Sequence, residues 1–289
     1  MTLTQVDRWH RALMTARPEL GHATTVRDTS DAELLDHAES GLMLVPPLPG
    51  RLDFLDVEGV LARISNIAHP LANMVTHARL TEADADGSLD RVLDIYARAN
   101  KPVLWVVGPL STPADLVSRL TDRGFESEGE LDALVLRNLA TEIRVNPEIE
   151  VREVAPDAMS PFSGMLASSY GLQEEMGVLV TDAYAAVRSF RIRPYVAFVR
   201  DEPVSWGTSI YVPDTSLLLL AGAATAPEHR SKGIYSTLVA RRLADARADG
   251  MDTALIQAVH TTSSPICRGL GFEQIGSLEV LVGQAPATA

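Results

Sequence analysis

The chain has 289 residues, 46% of them hydrophobic, which is enough for two domains with separate cores. Its formal net charge of −13 disfavours nonspecific binding to nucleic acid or anionic membranes but is compatible with a cationic amine substrate, and no uncharged apolar run is long enough to span a bilayer. The single cysteine, Cys267, excludes an intrachain disulfide and a cysteine-cluster metal site, which favours a reducing cytoplasm.

The first half of the chain predicts two helices followed by alternating strands and helices. Helical spacing of apolar residues predicts a helix over residues 6–16, and acidic residues after Asp28 mark the start of another. Hydrophobic periodicity then predicts, in chain order, a strand over 73–80, a helix over 89–96, a buried strand over 102–107, a helix over 113–123 and a closing strand over 131–136.

The second half repeats this order after a short polar linker over residues 138–147. The predicted elements are a strand over 150–154, helices over 158–170 and 182–190, strands over 195–199 and 204–212, a buried strand from Leu217, a helix from Tyr235 to Gly250, a strand over 252–259 and a short helix from Ser263. Because strand, helix, strand and helix recur in the same order, we infer an internal repeat of two similar units.

The connection between the Leu217 strand and the next helix has the features of an anion site. Pro227 ends the strand, and Arg230, Lys232 and Gly233 lie where the helix begins. A helix N-terminus presents unpaired N–H groups and the positive end of the helix dipole. Gly233 has no Cβ to keep an anion from the backbone. The sequence therefore predicts that a phosphate-like group binds here.

The segment Arg230-Ser-Lys-Gly-Ile-Tyr235 resembles the pyrophosphate loop of the GNAT superfamily of acyl-CoA-dependent N-acyltransferases, which usually reads Arg/Gln-x-x-Gly-x-Gly/Ala. Residues 263–272 resemble the last helix of that family, which ends in Gly-Phe. The resemblance implies an α/β fold with two GNAT-like domains in tandem, each a mixed, mostly antiparallel sheet flanked by helices. It implies a degenerate domain over residues 1–140 and an acetyltransferase domain over residues 148–289.

The first copy lacks a counterpart of the loop. Glu82, Asp84 and Asp86 lie between its strand and its helix, where their charges would repel a pyrophosphate. We therefore expect that this copy does not bind CoA.

The chain departs from the family pattern at two positions. Tyr235 stands where the loop usually has a third small residue. Cys267 stands where many members carry a tyrosine that protonates the departing CoA thiolate, so the proton donor is Cys267, Tyr170 or Tyr235. The alternative is that Cys267 is a small buried hydrophobic residue. His260 and Glu228 are the candidate bases that deprotonate the amine.

The resemblance also implies the ligands. Acetyl-CoA is the expected co-substrate, no metal is expected, and the acceptor is an amine of a small molecule or a protein. In the family the strand before the loop, here including Ala223, diverges from its neighbour and exposes backbone groups to the pantetheine amides and the acyl oxygen. The implied cofactor-binding residues are Ala224, Thr225, Ala226, Arg230, Ser231, Lys232, Gly233, Ile234, Tyr235 and Ser236.

Two functions remain open from the sequence. The first is direct attack of the amine on acetyl-CoA in a ternary complex. The second is a catalytically silent CoA-binding protein with a regulatory or scaffold role, which the replacement of the family tyrosine by Cys267 allows. A cytoplasmic monomer or homodimer that binds neither nucleic acid nor membranes is expected in both cases.

Overall fold

The computed structural model describes residues 30–283. The predicted helix over residues 6–16 lies outside the described residues. The described chain divides into two compact units, one made of residues 30–133 and 275–283 and the other of residues 134–274. No helix in the described range is both long and apolar enough to cross a lipid bilayer.

The first unit combines a mixed sheet with helices. Within the described residues its helices are α1 (Asp31–Ser40), α2 (Ala85–Arg98) and α3 (Leu116–Thr121). Its strands, in spatial order, are β1 (Leu52–Leu55), β2 (Leu61–Ser65), β3 (Met74–Thr76), β4 (Val103–Val107), β11 (Glu273–Gly283) and β5 (Glu126–Leu136). β3 and β4 run parallel, whereas the pairs β1–β2, β2–β3 and β4–β11 are antiparallel.

The core of the first unit forms where helices α2 and α3 cover the sheet. Leu89 and Val92 of α2 and Leu116 of α3 pack with Trp105 of β4 in one buried cluster. The spacing of the two α2 residues places both on one helix face, as the periodicity of the sequence requires. Helix α1 starts with a capping box, in which Ser30 and Glu33 bond each other's backbone N–H groups.

The second unit has the predicted order of strand, two helices, three strands, helix, strand and helix. Its helices are α4 (Ser163–Ser169), α5 (Glu174–Ala186), α6 (Ile234–Ala248) and α7 (Ser263–Gly269). Its strands, in spatial order, are β10 (Thr253–Val259), β9 (Leu217–Thr225), β8 (Glu202–Tyr211), β7 (Arg191–Val199) and β6 (Glu150–Glu153). β9 and β10 run parallel, and the other pairs are antiparallel. A mixed, mostly antiparallel sheet flanked by helices is thus confirmed.

Several predicted elements have different bounds in the structure, such as the strand predicted over 131–136, which begins at Glu126. The strand predicted over 73–80 spans only Met74–Thr76, because the backbone of His77 turns to a φ of +53°. The helix predicted over 113–123 spans only Leu116–Thr121. The helix predicted over 182–190 is Glu174–Ala186, because its buried face begins earlier, and the backbone becomes extended at Val187.

The compact units do not coincide with the predicted domains. Residues 275–283 belong to the first unit, although the predicted second domain covers 148–289. The reason is strand pairing, since β11 runs antiparallel to β4 with Leu281 opposite Trp105. Leu281 also joins the buried cluster of the first unit. The second half of the sequence therefore supplies a strand to the unit built from the first half.

Candidate active site

A cleft opens in the second unit where two parallel strands diverge. β9 pairs with β10 only from Leu217 to Leu219, so residues 220–225 have no partner on β10. On the other side of β9 the pairing with β8 skips Gly222, whose φ of +40° marks a bulge. A strand with an open edge beside a bulge presents unpaired backbone N–H and C=O groups to a ligand.

The backbone of Ala223 faces this open edge. Its N–H donates to the hydroxyl of Tyr170 with an N···O distance of 3.1 Å, and the same hydroxyl donates to its carbonyl at 3.1 Å. Both polar groups of this residue are therefore directed away from β8 and held by one side chain.

The three neighbouring residues assigned to the site by resemblance bond towards β8 instead. The carbonyl of Ala224 accepts from the Ser205 hydroxyl at 2.8 Å, and that hydroxyl lies 2.9 Å from Thr225 Oγ1. The N–H of Ala226 donates to the Val204 carbonyl at 2.9 Å. Ala223 is thus the residue whose backbone N–H and carbonyl are both bonded by Tyr170, whereas the Thr225 carbonyl accepts from Arg230 at 3.1 Å.

The N-terminus of α6 lies in the connection that follows β9. Gly233 precedes the helix with a φ of +75°, and no side chain in the described part of the chain caps the helix. The N–H groups of residues 231–236 donate to no acceptor among residues 30–283, and the first bonded amide is that of Thr237, which donates to the Gly233 carbonyl at 3.0 Å. Unpaired amides and the positive end of the dipole form the geometry in which helices bind phosphate.

The two basic side chains of the loop are bonded to carbonyl groups of the protein. Arg230 donates to the carbonyls of Thr225 at 3.1 Å and Ser169 at 3.2 Å. Lys232 Nζ donates to the carbonyl of Glu228 at 3.0 Å. Both residues are exposed, so their charges remain beside the unpaired amides and available to an anion.

An open cavity of about 910 Å³ adjoins the start of α6. Its walls are residues 141–147 of the linker, residues 269–271 at the end of α7, and Lys232 and Ser236 of the loop and helix. The side chain of Asn146 fixes the linker to the loop by donating to the Lys232 carbonyl at 3.0 Å. A cavity of this size and position can hold a ligand that carries phosphate groups.

The side chain of Tyr235 points into the protein rather than into the loop. Its hydroxyl lies 3.5 Å from the sulfur of Cys267, and the ring packs against the buried cluster between α6 and α7. Burial raises the pKa of both the phenol and the thiol. The Tyr235 phenol and the Cys267 thiol thus lie together, and each keeps its proton at neutral pH. Because the Tyr235 side chain points inward, the backbone of the loop stays open.

Comparison with solved structures identifies this architecture. A GCN5-related N-acetyltransferase from Kribbella flavida aligns with a TM-score of 0.63 and 14% identity, over 91% of this chain and 98% of its own. A tandem GNAT protein from the clavulanic acid biosynthesis pathway aligns with a TM-score of 0.63 and 13% identity, over 98% of this chain and 96% of its own. This chain has the GNAT fold.

A GCN5-related N-acetyltransferase from Sphaerobacter thermophilus also shares the GNAT fold, with a TM-score of 0.52 and 14% identity over 78% of this chain and 77% of its own. No protein-family model and no curated protein matches the sequence. The resemblance inferred from residues 230–235 and 263–272 is therefore confirmed at the level of the fold. That the first copy is degenerate stays a prediction.

The two candidate bases lie at different places in the GNAT unit. Glu228 belongs to the turn Pro227–His229 after β9, and His260 directly follows β10. Both side chains are exposed, so both are accessible to an acceptor amine. Cys267, in contrast, is fully buried.

A fully buried arginine in the GNAT unit was missed from the sequence. Arg242 of α6 donates from Nη2 to the carbonyls of Ala221, at 3.2 Å, and Thr208, which flank the bulge between β8 and β9. Its Nη1 has no hydrogen-bond partner among residues 30–283. Burial lowers the pKa of this guanidinium. Its position one helical turn after the buried Leu238 is the signal that could have found it.

Proposed function

We propose that the second unit is an acyl-CoA-dependent N-acetyltransferase, which moves an acetyl group from acetyl-CoA to an amine of a small molecule or a protein. The observation that carries the proposal is the start of α6, where residues 231–236 offer amides without acceptors among the described residues, next to a strand with an open edge. The GNAT fold supports it, since the solved structures named above are described as N-acetyltransferases.

The residues of the site fit the parts of an acyl-CoA. The amides of residues 231–236 would bind the pyrophosphate, with Lys232 adding positive charge. The cavity beside them would hold the rest of the nucleotide. The open edge of β9 at Ala223 would pair with the pantetheine arm and donate to the thioester carbonyl.

The chemistry follows from this placement. The acceptor amine, deprotonated by His260 or Glu228, attacks the thioester carbonyl directly, and the C–S bond breaks as the amide bond forms. The N–H of Ala223 stabilises the oxyanion, a contribution worth about 3 kcal/mol for a well-placed donor. The departing thiolate takes a proton from Tyr235 or Cys267, both of which are protonated at neutral pH because burial raises each pKa.

The first test is ligand binding by calorimetry. Acetyl-CoA should bind the wild-type chain, and Gly233→Asp should abolish binding, because it adds a negative charge and a Cβ in the left-handed backbone beside the amides. Gly250→Asp is the matched control, since Gly250 has a φ of +86° at the other end of the same helix and open space around its Cβ position. Unchanged binding by the Gly233 variant would refute this phosphate site.

A second candidate function is a CoA-binding protein without turnover, which the burial of Cys267 favours. Release of free CoA in an amine screen separates the two functions. Cys267→Ala should lower the rate without altering acetyl-CoA affinity if the thiol is the acid. An unchanged rate would leave Tyr235 or Tyr170 as the donor, and no turnover with any amine would favour the silent protein. The cytoplasmic location and the monomeric or dimeric state stay predictions.

A further inference from the structure

The hydroxyl of Tyr170 occupies the open edge of β9. It accepts from the N–H of Ala223 and donates to the carbonyl of the same residue, at 3.1 Å in both cases. The residue as a whole is 47% exposed and lies at the surface of the cleft, while its hydroxyl reaches the strand. This contact joins residues 53 positions apart in the sequence.

The Tyr170 hydroxyl, which both donates and accepts, forms hydrogen bonds with the strand edge that an amide or thioester of a ligand would otherwise form. The N–H of Ala223 can donate one strong hydrogen bond, and it already donates to Tyr170. A ligand carbonyl that takes this N–H must therefore displace the phenol. Tyr170 and the acyl arm of a thioester are mutually exclusive at this position.

Neighbouring contacts hold Tyr170 in place. Its ring packs edge-on against Trp206 with a centroid distance of 5.7 Å. The carbonyl of Ser169, the preceding residue, accepts from Arg230 at 3.2 Å, which ties the end of α4 to the phosphate loop. Gly171 follows with a φ of +71°, where the chain turns away from the helix. The residues before and after Tyr170 in the chain thus hold its phenol against Ala223.

We propose, on the basis of the proposed acyl-CoA site, that the Tyr170 hydroxyl is an internal occupant of the position taken by the acyl-pantetheine arm. Binding of an acyl-CoA displaces it, so this hydroxyl weakens the affinity for acyl-CoA. It has no effect on ligands that carry only the nucleotide part, because these do not reach Ala223. Tyr170 therefore sets the affinity of the site for the thioester arm.

The test compares two ligands by calorimetry on the full chain. Tyr170→Phe removes both hydrogen bonds and keeps the ring, so the Kd for acetyl-CoA should fall roughly tenfold. The Kd for adenosine 3′,5′-bisphosphate, which lacks the pantetheine arm, should not change. Tyr184→Phe is the matched control, because Tyr184 also packs on Trp206, at 6.5 Å, and no hydrogen bond joins it to Ala223. It should leave both affinities unchanged.

The outcomes separate this inference from the function on which it rests. Acetyl-CoA binding that is equal or weaker in the Tyr170→Phe variant would overturn the inference and leave the proposed function intact. Equal tightening of both ligands would also overturn it, since the effect would then not concern the thioester arm. If neither the wild-type chain nor the Tyr170→Phe variant bound acetyl-CoA, the proposed function would be overturned together with the inference.

Discussion

Helices α2 and α6 occupy the same place in the two units, each between two parallel strands, but their N-termini differ. At α2 the amides of Asp84 and Ala85 both donate to the Thr81 carbonyl, at 3.2 and 3.0 Å. At α6 the amides of residues 231–236 have no acceptor within the described part of the chain. The amides at the junction into α2 are bonded by its own chain, whereas those at the junction into α6 have no acceptor among the described residues.

The strand edges show the same contrast. Beyond β3 the chain rejoins the residues after β4, because the N–H of Leu80 donates to the Thr112 carbonyl at 3.3 Å and the N–H of Thr112 donates to the Ala78 carbonyl at 3.0 Å. Beyond Leu219 of β9 no such pairing with β10 occurs. The parallel strands of the first unit are joined where those of the second unit diverge.

A buried ion pair occupies the corresponding region of the first unit. Glu39 is fully buried and accepts from Arg79 at 2.6 Å and from the Leu110 N–H at 2.7 Å. The two units, each with a helix between two parallel strands, thus differ in how the chain bonds the polar groups beside that helix. This difference gives a physical basis to the prediction that the first copy does not bind CoA.

The largest expected effect comes from breaking that ion pair. Glu39→Gln removes the buried charge that pairs with Arg79, which keeps its half-exposed partner Asp36 at 3.0 Å, and should lower the free energy of unfolding by about 3 kcal/mol in urea denaturation. Glu82→Gln removes an exposed partner of Arg119 and should cost less than about 1 kcal/mol. Equal effects of the two variants would contradict the structural role of the buried pair.

The second prediction tests the open helix start. Acetyl-CoA at a hundred times its Kd should raise the free energy of unfolding by about 2.7 kcal/mol. Hydrogen exchange measured by mass spectrometry should slow at residues 231–236, whose amides lack acceptors among the described residues, and not at residues 84–88 of the first unit. Protection at 84–88 would show that the closed helix start also takes the ligand.

The third prediction concerns the turns that precede the two helices. The Thr81 hydroxyl accepts from the Asp84 N–H at 3.2 Å, so Thr81→Ala removes this hydrogen bond and should cost about 1 kcal/mol. Ser231 precedes α6 and makes no bond of this kind, so Ser231→Ala should change the free energy of unfolding by less than about 0.5 kcal/mol. Thermal melts of both variants provide the comparison, and a larger loss in the Ser231 variant would reverse it.

The smallest effect is a pH dependence that belongs to the second unit, which holds the chain's only cysteine. Burial raises the pKa of the Cys267 thiol, so the folded chain keeps the proton above the unfolded pKa of about 8.5. The unfolded state then binds fewer protons, and stability falls as pH rises. We expect a loss of at most about 0.8 kcal/mol between pH 7 and pH 9.

Cys267→Ser is the control for this titration, because serine does not ionise in that range. Its unfolding free energy should lack this part of the decrease between pH 7 and pH 9. An identical pH slope in both proteins would show that the thiol ionises equally in the folded and unfolded chain.

Local patterns in the sequence predicted most of the second unit. The run from Leu217, the loop at Arg230 to Gly233 and the apolar face of α6 each lie within a short window, in which periodicity and backbone preferences act directly. The helix bounds near Asp182 were wrong, because α5 begins at Glu174 and its buried face depends on what packs against it.

The sequence by itself therefore determined the order of the elements and the position of the loop over residues 230–235, because both depend on hydrogen bonding and hydrophobic spacing between near neighbours. The tertiary structure alone decided that residues 275–283 join the first unit, that Tyr170 bonds the backbone of Ala223 and that Tyr235 meets Cys267. These contacts join positions far apart in the chain, so they follow from how whole strands and helices pack and not from any local pattern.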